Sequence, residues 1–260
     1  MERPSTLNDS LKNKVVWITG GGSGIGLAGG IELAKAGAHV VISGRSRETL
    51  SASEKQLKAA GSCESIALDV AEKEEVSRAA QAIQKRHGHI DILINSAGIN
   101  SPKRAFRNVS LDTWDQIVAV NLSGMFYCCH AVLPGMRERK DGLIINISSW
   151  AGRYASTLTG PGYNATKHAV IALTESINME EGANGIRATS ILPGEVATPI
   201  LEKRPVPPAP EVRARMLQPE DLGATIFYIA TLPPRACVNE LIISPTWNRF
   251  YLGGFETPKS

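Results

Sequence analysis

The sequence predicts an α/β protein, a single domain built on a doubly wound, parallel, seven-stranded sheet with helices on both faces. Three observations carry this. Short continuous apolar runs such as Val15-Val16-Trp17-Ile18 have the composition of strands buried on both faces of a parallel sheet. These runs alternate with longer segments of helical character through most of the chain, the pattern of repeated strand-helix-strand units. The first junction, Thr19-Gly20-Gly21-Gly22-Ser23-Gly24-Ile25-Gly26, is a glycine-rich turn that leaves a strand and opens a helix.

Taken in order, residues 14–19 form the first strand and 25–36 a helix stopped by Gly37. Residues 39–43 (His-Val-Val-Ile-Ser) form the second buried strand and complete a strand-helix-strand unit. Helix 47–60, strand 65–68, helix 72–87 and strand 91–94 continue it. A long helix over 111–137, strand 142–147, helix 161–181, strand 185–192, helix 219–230 and strand 240–244 finish the sheet. No composition break divides residues 14–260, so they are read as one domain behind a polar tail, 1–13. The irregular stretch is 193–218, where Pro193, Pro199, Pro205, Pro207, Pro208 and Pro210 are expected to deny regular helix or strand pairing. A long loop in a compact domain is usually functional. This one is expected to be a lid that closes over substrate, bringing Ile200, Leu201 and Val206 against it.

Composition narrows the function. A hydrophobic content of 43% with 20% charged residues is ordinary for a soluble globular protein. The net charge of +3, from 28 basic and 25 acidic residues, comes without a basic run, which argues against nucleic acid as a partner. Cys63, Cys128, Cys129 and Cys237 show no Cys-x-x-Cys spacing and no accompanying histidine cluster, so no metal site and no disulfide framework is expected. The start, with Pro4 in a polar stretch, has no signal-peptide core, and no apolar run approaches the roughly twenty residues of a membrane span. A soluble, cytoplasmic protein without a membrane partner is expected.

Two constellations carry chemistry. In the glycine turn, residues without Cβ let the backbone approach a pyrophosphate, which the amides at the helix start then meet, so a dinucleotide is expected there. At the end of the second strand, where an acid would bind the ribose 2′-hydroxyl and repel a 2′-phosphate, the chain has Ser43-Gly44-Arg45-Ser46. Arg45 offers a guanidinium fork to that phosphate and Ser46 a further donor, so NADP(H) is the expected cofactor. The second constellation is Tyr163 and Lys167, four apart on a helix and therefore on one face, an ammonium beside a phenol. The positive charge is expected to lower the tyrosine pKa and fit it for acid-base work.

At these residues the chain resembles the short-chain dehydrogenase/reductase family, of the NADP-preferring Tyr-x-x-x-Lys type, over nearly its whole length. The glycine turn, Asp69-Val70, Asn95-Ser96-Ala97-Gly98, Asn121, Ile147-Ser148-Ser149, Tyr163-x-x-x-Lys167 and Pro193-Gly194-Glu195-Val196-Ala197-Thr198 occur in the family's order. Ser96 departs from the asparagine more usual there. The resemblance implies a Rossmann-type fold, hydride transfer between NADP(H) and a carbonyl or secondary alcohol, no metal, and a homodimer or homotetramer.

It also implies a catalytic tetrad of Asn121, Ser149, Tyr163 and Lys167. Tyr163 would move the proton, Ser149 would hold the substrate oxygen, Lys167 would bind the nicotinamide ribose and depress the tyrosine pKa, and Asn121 would hold a linking water. Cofactor contacts are expected from Gly20, Gly22, Ser23, Gly24, Ile25, Gly26, Arg45, Ser46, Asp69, Val70, Asn95, Ala97, Gly98, Tyr163, Lys167, Pro193, Gly194, Val196 and Thr198. Ser149 is preferred to Ser148 because it begins Ser-Trp-Ala-Gly, and alternation along the strand end separates the two. Asp69 would serve equally as a cap for the next helix. Cys128 and Cys129 read as packed thiols, whereas Trp150, Tyr154, Glu195 and Trp247 are pocket candidates that would also suit core, interface or solvent-facing positions. The rival functions are reduction of an activated C=C or C=N bond, and a redox-sensing NADP-binding protein without turnover.

Overall fold

The computed structural model describes residues 10–252, so most of the polar tail 1–13 and the segment 253–260 lie outside the described residues. Strand β1 (Val15–Thr19) leads through the glycine turn into α1 (Gly24–Lys35), followed by β2 (His39–Gly44), α2 (Arg47–Ala60), β3 (Cys63–Ala67), α3 (Lys73–His87) and β4 (Ile92–Asn95). The second half runs α4 (Leu111–Val118), α5 (Gly124–Arg139), β5 (Gly142–Ile147), α6 (Pro161–Glu181), β6 (Ile186–Pro193), α7 (Pro210–Arg213), α8 (Pro219–Ala230), β7 (Glu240–Ile243) and α9 (Arg249–Leu252). The seven strands are parallel and ordered β3-β2-β1-β4-β5-β6-β7. Strand order reverses between β1 and β4, and a crevice for ligand opens at such a point, beyond the carboxyl ends of the strands.

β1 shows why this sequence makes a two-faced sheet. Its five residues are all buried, and successive side chains point to opposite faces. Val16 and Ile18 join Leu33 of α1 and Ile226 of α8 in one core, while Val15 and Trp17 join Ile83 of α3 and Met136 of α5 in the other. Each fully buried side chain of this size contributes roughly 1.5–3 kcal/mol, so the unbroken apolar run is stable only with helices on both sides. The indole Nε1 of Trp17 donates to Ser43 Oγ at 2.9 Å, which satisfies its buried polar atom. The span Leu111–Arg139 is long and apolar enough to cross a bilayer. In this fold it packs Met125, Cys128, Cys129, Val132 and Met136 into the core.

Three sequence expectations need correction. Strand β3 begins at Cys63, not at 65. The single helix expected over 111–137 contains a π-helical turn, Ala119–Ser123, between α4 and α5. One extra residue per turn there re-aims Asn121, and such bulges recur at functional sites. The proline-rich stretch is also more regular than expected. Pro199 sits in the first turn of a 3₁₀ segment, Pro199–Lys203, and Pro210 starts α7, positions where a missing N–H costs nothing. Val196 and Leu217 form a parallel bridge, with Leu217 N to Glu195 O at 3.0 Å and Ala197 N to Leu217 O at 2.8 Å. The stretch is therefore tied at both ends.

Candidate active site

The crevice is built first by the backbone. Gly20 has φ +68°, and a Cβ there would lie 2.6 Å from Ala97 N, so only glycine lets the turn after β1 touch the loop after β4. A Cβ at Gly26 would meet Gly20 O at 2.5 Å, which fixes α1 directly beneath the turn. Gly22 lies in this turn. Ser23 precedes α1, and its side chain makes no cap hydrogen bond. The amides of Gly24, Ile25 and Gly26 thus form a helix start suited to a pyrophosphate, and the residues present fit a dinucleotide.

At the adenine end, Arg45 is largely exposed and its Nη1 lies 3.9 Å from Asp69 Oδ2. Ser46 caps α2, accepting from Thr49 N at 3.1 Å. Asp69 does not cap α3, whose N-cap is Glu72; its Oδ1 instead accepts from Ala71 N at 3.0 Å and shapes the preceding turn. Two of the expected contact residues have side chains engaged within the protein. Val70 is buried in the core, where a Cβ at Gly124 would lie 2.8 Å from its methyl. Asn95 is 2% exposed and donates to Asn146 Oδ1 at 2.9 Å and to Cys129 Sγ at 3.3 Å, a strut between neighbouring elements. The crevice wall is made by Ser96, Ala97 and Gly98.

The other wall comes from Pro193 at the end of β6, with Gly194, Val196 and Thr198. Gly194 N donates to Ile243 O at 2.7 Å, which anchors this turn to β7. Thr198 stands across from Gly24, whose added Cβ would lie 3.1 Å from the threonine methyl.

At the centre stand Ser149, Tyr163 and Lys167, with Asn121 behind them. Ser149 begins the 3₁₀ turn Trp150–Gly152, accepts from Ala151 N at 3.1 Å, and lines the crevice with Tyr163, whose phenol it favours in the ionised form. Ser148 is buried and donates to Lys167 O at 2.8 Å, so the two serines diverge as alternation requires. Lys167 is 4% exposed, donates from Nζ to Ile147 O at 2.7 Å, and lies 5.5 Å from the centre of the Tyr163 ring. Asn121 is fully buried; its Oδ1 accepts from Ile99 N at 2.8 Å and its Nδ2 donates to Ile99 O at 3.0 Å. These bonds make it a clamp on the loop after β4, and the water-holding role rests on the resemblance alone. A Cβ at Gly98 would lie 3.6 Å from both Asn121 Oδ1 and Lys167 Nζ, so the glycine brings the crevice to this cluster.

The electrostatics differ from the sequence expectation. Burial raises the Tyr163 pKa above its ordinary value, against the smaller opposing effects of the Ser149 side chain and the charges of Arg104 and Arg204. Lys167 stands over the ring, and burial lowers its pKa to about 8. At neutral pH Tyr163 is a neutral phenol, able to donate.

Among the pocket candidates, Trp150 lines the crevice and is 6% exposed. Tyr154 packs on the Trp150 ring at 4.7 Å. Trp247 lies outside the crevice lining and under Arg215, 5.2 Å away. Glu195 lines the crevice and pairs with Arg204 and Arg249. Ile200 and Leu201 line the crevice, whereas Val206 is 82% exposed and does not. Burial pushes the Cys129 thiol up to about 12, the reverse of what a nucleophile needs.

Sequence reasoning missed Arg104, Arg204 and Phe250, which also line the crevice. They sit in loops and a short C-terminal helix, where no periodicity or motif shows their direction. It also missed a grouping of His39, Glu64 and His87, whose ligand-type atoms lie within 4.8 Å of one another. Glu64 there already holds His87 Nε2 at 3.0 Å and Arg86, an ion-pair cluster away from the crevice, where His39 opens β2.

Sheet order, the glycine turn and the cluster of Ser149, Tyr163 and Lys167 lining the crevice define a protein of the dinucleotide-binding fold. The family model described as short chain dehydrogenase matches residues 14–207. An uncharacterized oxidoreductase of Staphylococcus aureus (strain USA300) is 37% identical over 235 residues, 90% of this chain and 98% of the relative. Among solved structures, a levodione reductase superposes with a TM-score of 0.82 at 28% identity, covering 90% of this chain and 97% of that one. A metagenomic short-chain oxidoreductase in complex with NADP gives 0.80 at 30% identity, covering 92% and 100%. The chain belongs to the short-chain dehydrogenase/reductase family and is an oxidoreductase of the Rossmann fold.

Proposed function

We propose that this protein is an NADP(H)-dependent oxidoreductase that interconverts a carbonyl and a secondary alcohol, with Tyr163 as the proton donor and acceptor. The observation that carries the reading is the Ser149–Tyr163–Lys167 cluster at the mouth of the dinucleotide crevice. NADPH, when bound, supplies the hydride. Ser149 holds the substrate oxygen by a hydrogen bond, and Tyr163, neutral at pH 7, gives its hydroxyl proton to that oxygen as negative charge builds there. Lys167 would hold the ribose hydroxyls, where a new electronegative partner offsets the burial that lowers its pKa. The test is NADPH oxidation over a panel of ketones and aldehydes. NADPH binding without turnover of any of them would sink the carbonyl reading and turn attention to C=C and C=N substrates or to a sensor.

The preference for NADPH is assigned to Arg45. Its side chain is 64% exposed, with Asp69 Oδ2 3.9 Å from its Nη1, and can swing to a 2′-phosphate. Arg45→Ala is expected to cost about 1.5–3 kcal/mol of NADPH affinity, the worth of a hydrogen bond to a charged group, and Gly44→Asp to shift preference toward NADH. Titrations of each cofactor against wild type and Arg45→Ala check this, and an equal loss for NADH would refute it. The same reading carries a small-molecule substrate, a cytoplasmic location and a homodimer or homotetramer. Phe126 on α5 and Met179 on α6 stay 48% and 77% exposed, as an apolar interface would require.

A further inference from the structure

Two arginines share the crevice with Tyr163, and the chemistry above uses neither. Arg104, in the loop between β4 and α4, is 7% exposed. It gives Nε to Ser101 O at 2.6 Å, Nη1 to Leu158 O at 3.4 Å and Nη2 to Lys203 O. A guanidinium carries five N–H bonds, so two are left over, and among the described residues no carboxylate pairs with it. A buried cation held only by neutral carbonyls keeps its whole charge directed at whatever enters the crevice.

Arg204 follows the 3₁₀ segment and its side chain is 12% exposed. Its Nη1 lies 2.8 Å from Glu195 Oε1, yet that oxygen receives no hydrogen bond, so the Arg204 N–H directions miss it. The other oxygen, Oε2, is taken by Arg249 Nε at 2.7 Å. Arg204 and Arg249 thus share one carboxylate while Arg104 has none among the described residues, which leaves uncompensated positive charge in a small cleft of about 270 Å³. Both Arg104 and Arg204 act on the Tyr163 phenol, and Arg204 repels Arg104. The excess charge therefore acts on the Tyr163 hydroxyl, in the crevice whose other lining includes the glycine turn. Trp150, Leu158, Leu201 and Phe250 supply apolar wall.

We propose that the substrate is a short oxo acid, or the corresponding hydroxy acid, whose carboxylate pairs with Arg104 and Arg204 while its carbonyl reaches Tyr163 and Ser149. The planar fork of each arginine matches a carboxylate, and a bound anion relieves the repulsion between the two cations. In the reduction, NADPH is oxidised to NADP⁺ as hydride adds to the carbonyl carbon. The C=O bond becomes C–O–H with the Tyr163 proton, which solvent replaces, and the carboxylate takes no part. The proposal rests on the carbonyl-alcohol reading above.

The test compares short 2-oxo and 3-oxo acids with their methyl esters and with neutral ketones, by NADPH oxidation on wild type, Arg104→Gln and Arg204→Gln. At least one acid is expected to exceed its ester in kcat/KM by about 100-fold, the scale of charged hydrogen bonds. That preference should shrink at least about tenfold in each variant, chiefly through a higher KM of the acid. Arg104 also ties Lys203 to its own loop, so if Arg104→Gln fails to fold, Arg204→Gln decides the matter. Esters or neutral ketones reduced as well as acids, or an acid preference that persists in the folded variants, overturn the assignment while leaving carbonyl reduction intact. NADPH binding with no turnover of acid, ester or ketone overturns both readings.

Discussion

Tyr163→Phe is expected to lower carbonyl reduction by about 10²–10⁴-fold, the usual contribution of a positioned proton donor, while NADPH still binds. The change removes one oxygen and leaves the ring on which Lys167 stands, 5.5 Å from its centre. Lys167 keeps its bond to Ile147 O, and the glycine turn is untouched, so the cofactor crevice survives. Fluorescence titration with NADPH and steady-state rates on one reduced substrate separate the two effects. Near-normal turnover in the variant would remove Tyr163 from the proton transfer and favour an imine or alkene substrate.

Lys167→Met is expected to lower both NADPH affinity and turnover, yet to leave the ligand-free protein melting no lower than wild type at pH 7. The lysine is a buried cation whose pKa has fallen from 10.5 to about 8, so its charge opposes folding at neutral pH by about 3 kcal/mol at 1.4 kcal/mol per pKa unit. Losing the hydrogen bond to Ile147 O costs about 1–3 kcal/mol, which offsets that relief without exceeding it. The sign follows from linkage. With the folded pKa below the unfolded one, the penalty is complete below about pH 8 and fades as pH rises to 10.5, because over that window the unfolded chain binds the extra proton. From pH 8 to 10.5 the melting temperature of wild type should therefore rise relative to that of Lys167→Met and end above it, since only the lost hydrogen bond then separates the two. A variant that melts well below wild type at pH 7 would show the lysine to be a net structural support.

The fold and the frame of the site were legible in the sequence because both depend on local pattern. An apolar run such as Val15–Thr19 can be stable only between two helical layers, and the glycine at 26 is demanded by the nearby backbone of Gly20. The spacing of Tyr163 and Lys167 on α6 sets them on one face whatever surrounds them. What surrounds them was decided by the tertiary structure. Burial, which turned the expected acidic tyrosine into a neutral phenol and weakened the lysine instead, is a property of the whole packed domain. Asn95, Val70 and Asn121 point where neighbouring strands and loops offer partners, and a π-helical turn that no periodicity marks sets the last of them. Arg104 and Arg204 lie on opposite sides of Tyr163 and Lys167 in sequence and in two loops without pattern. They become one positive pocket only because the chain ends of β4 and β6 open on the same crevice, and the Coulomb energy that gives them meaning depends on distance in space, not along the chain.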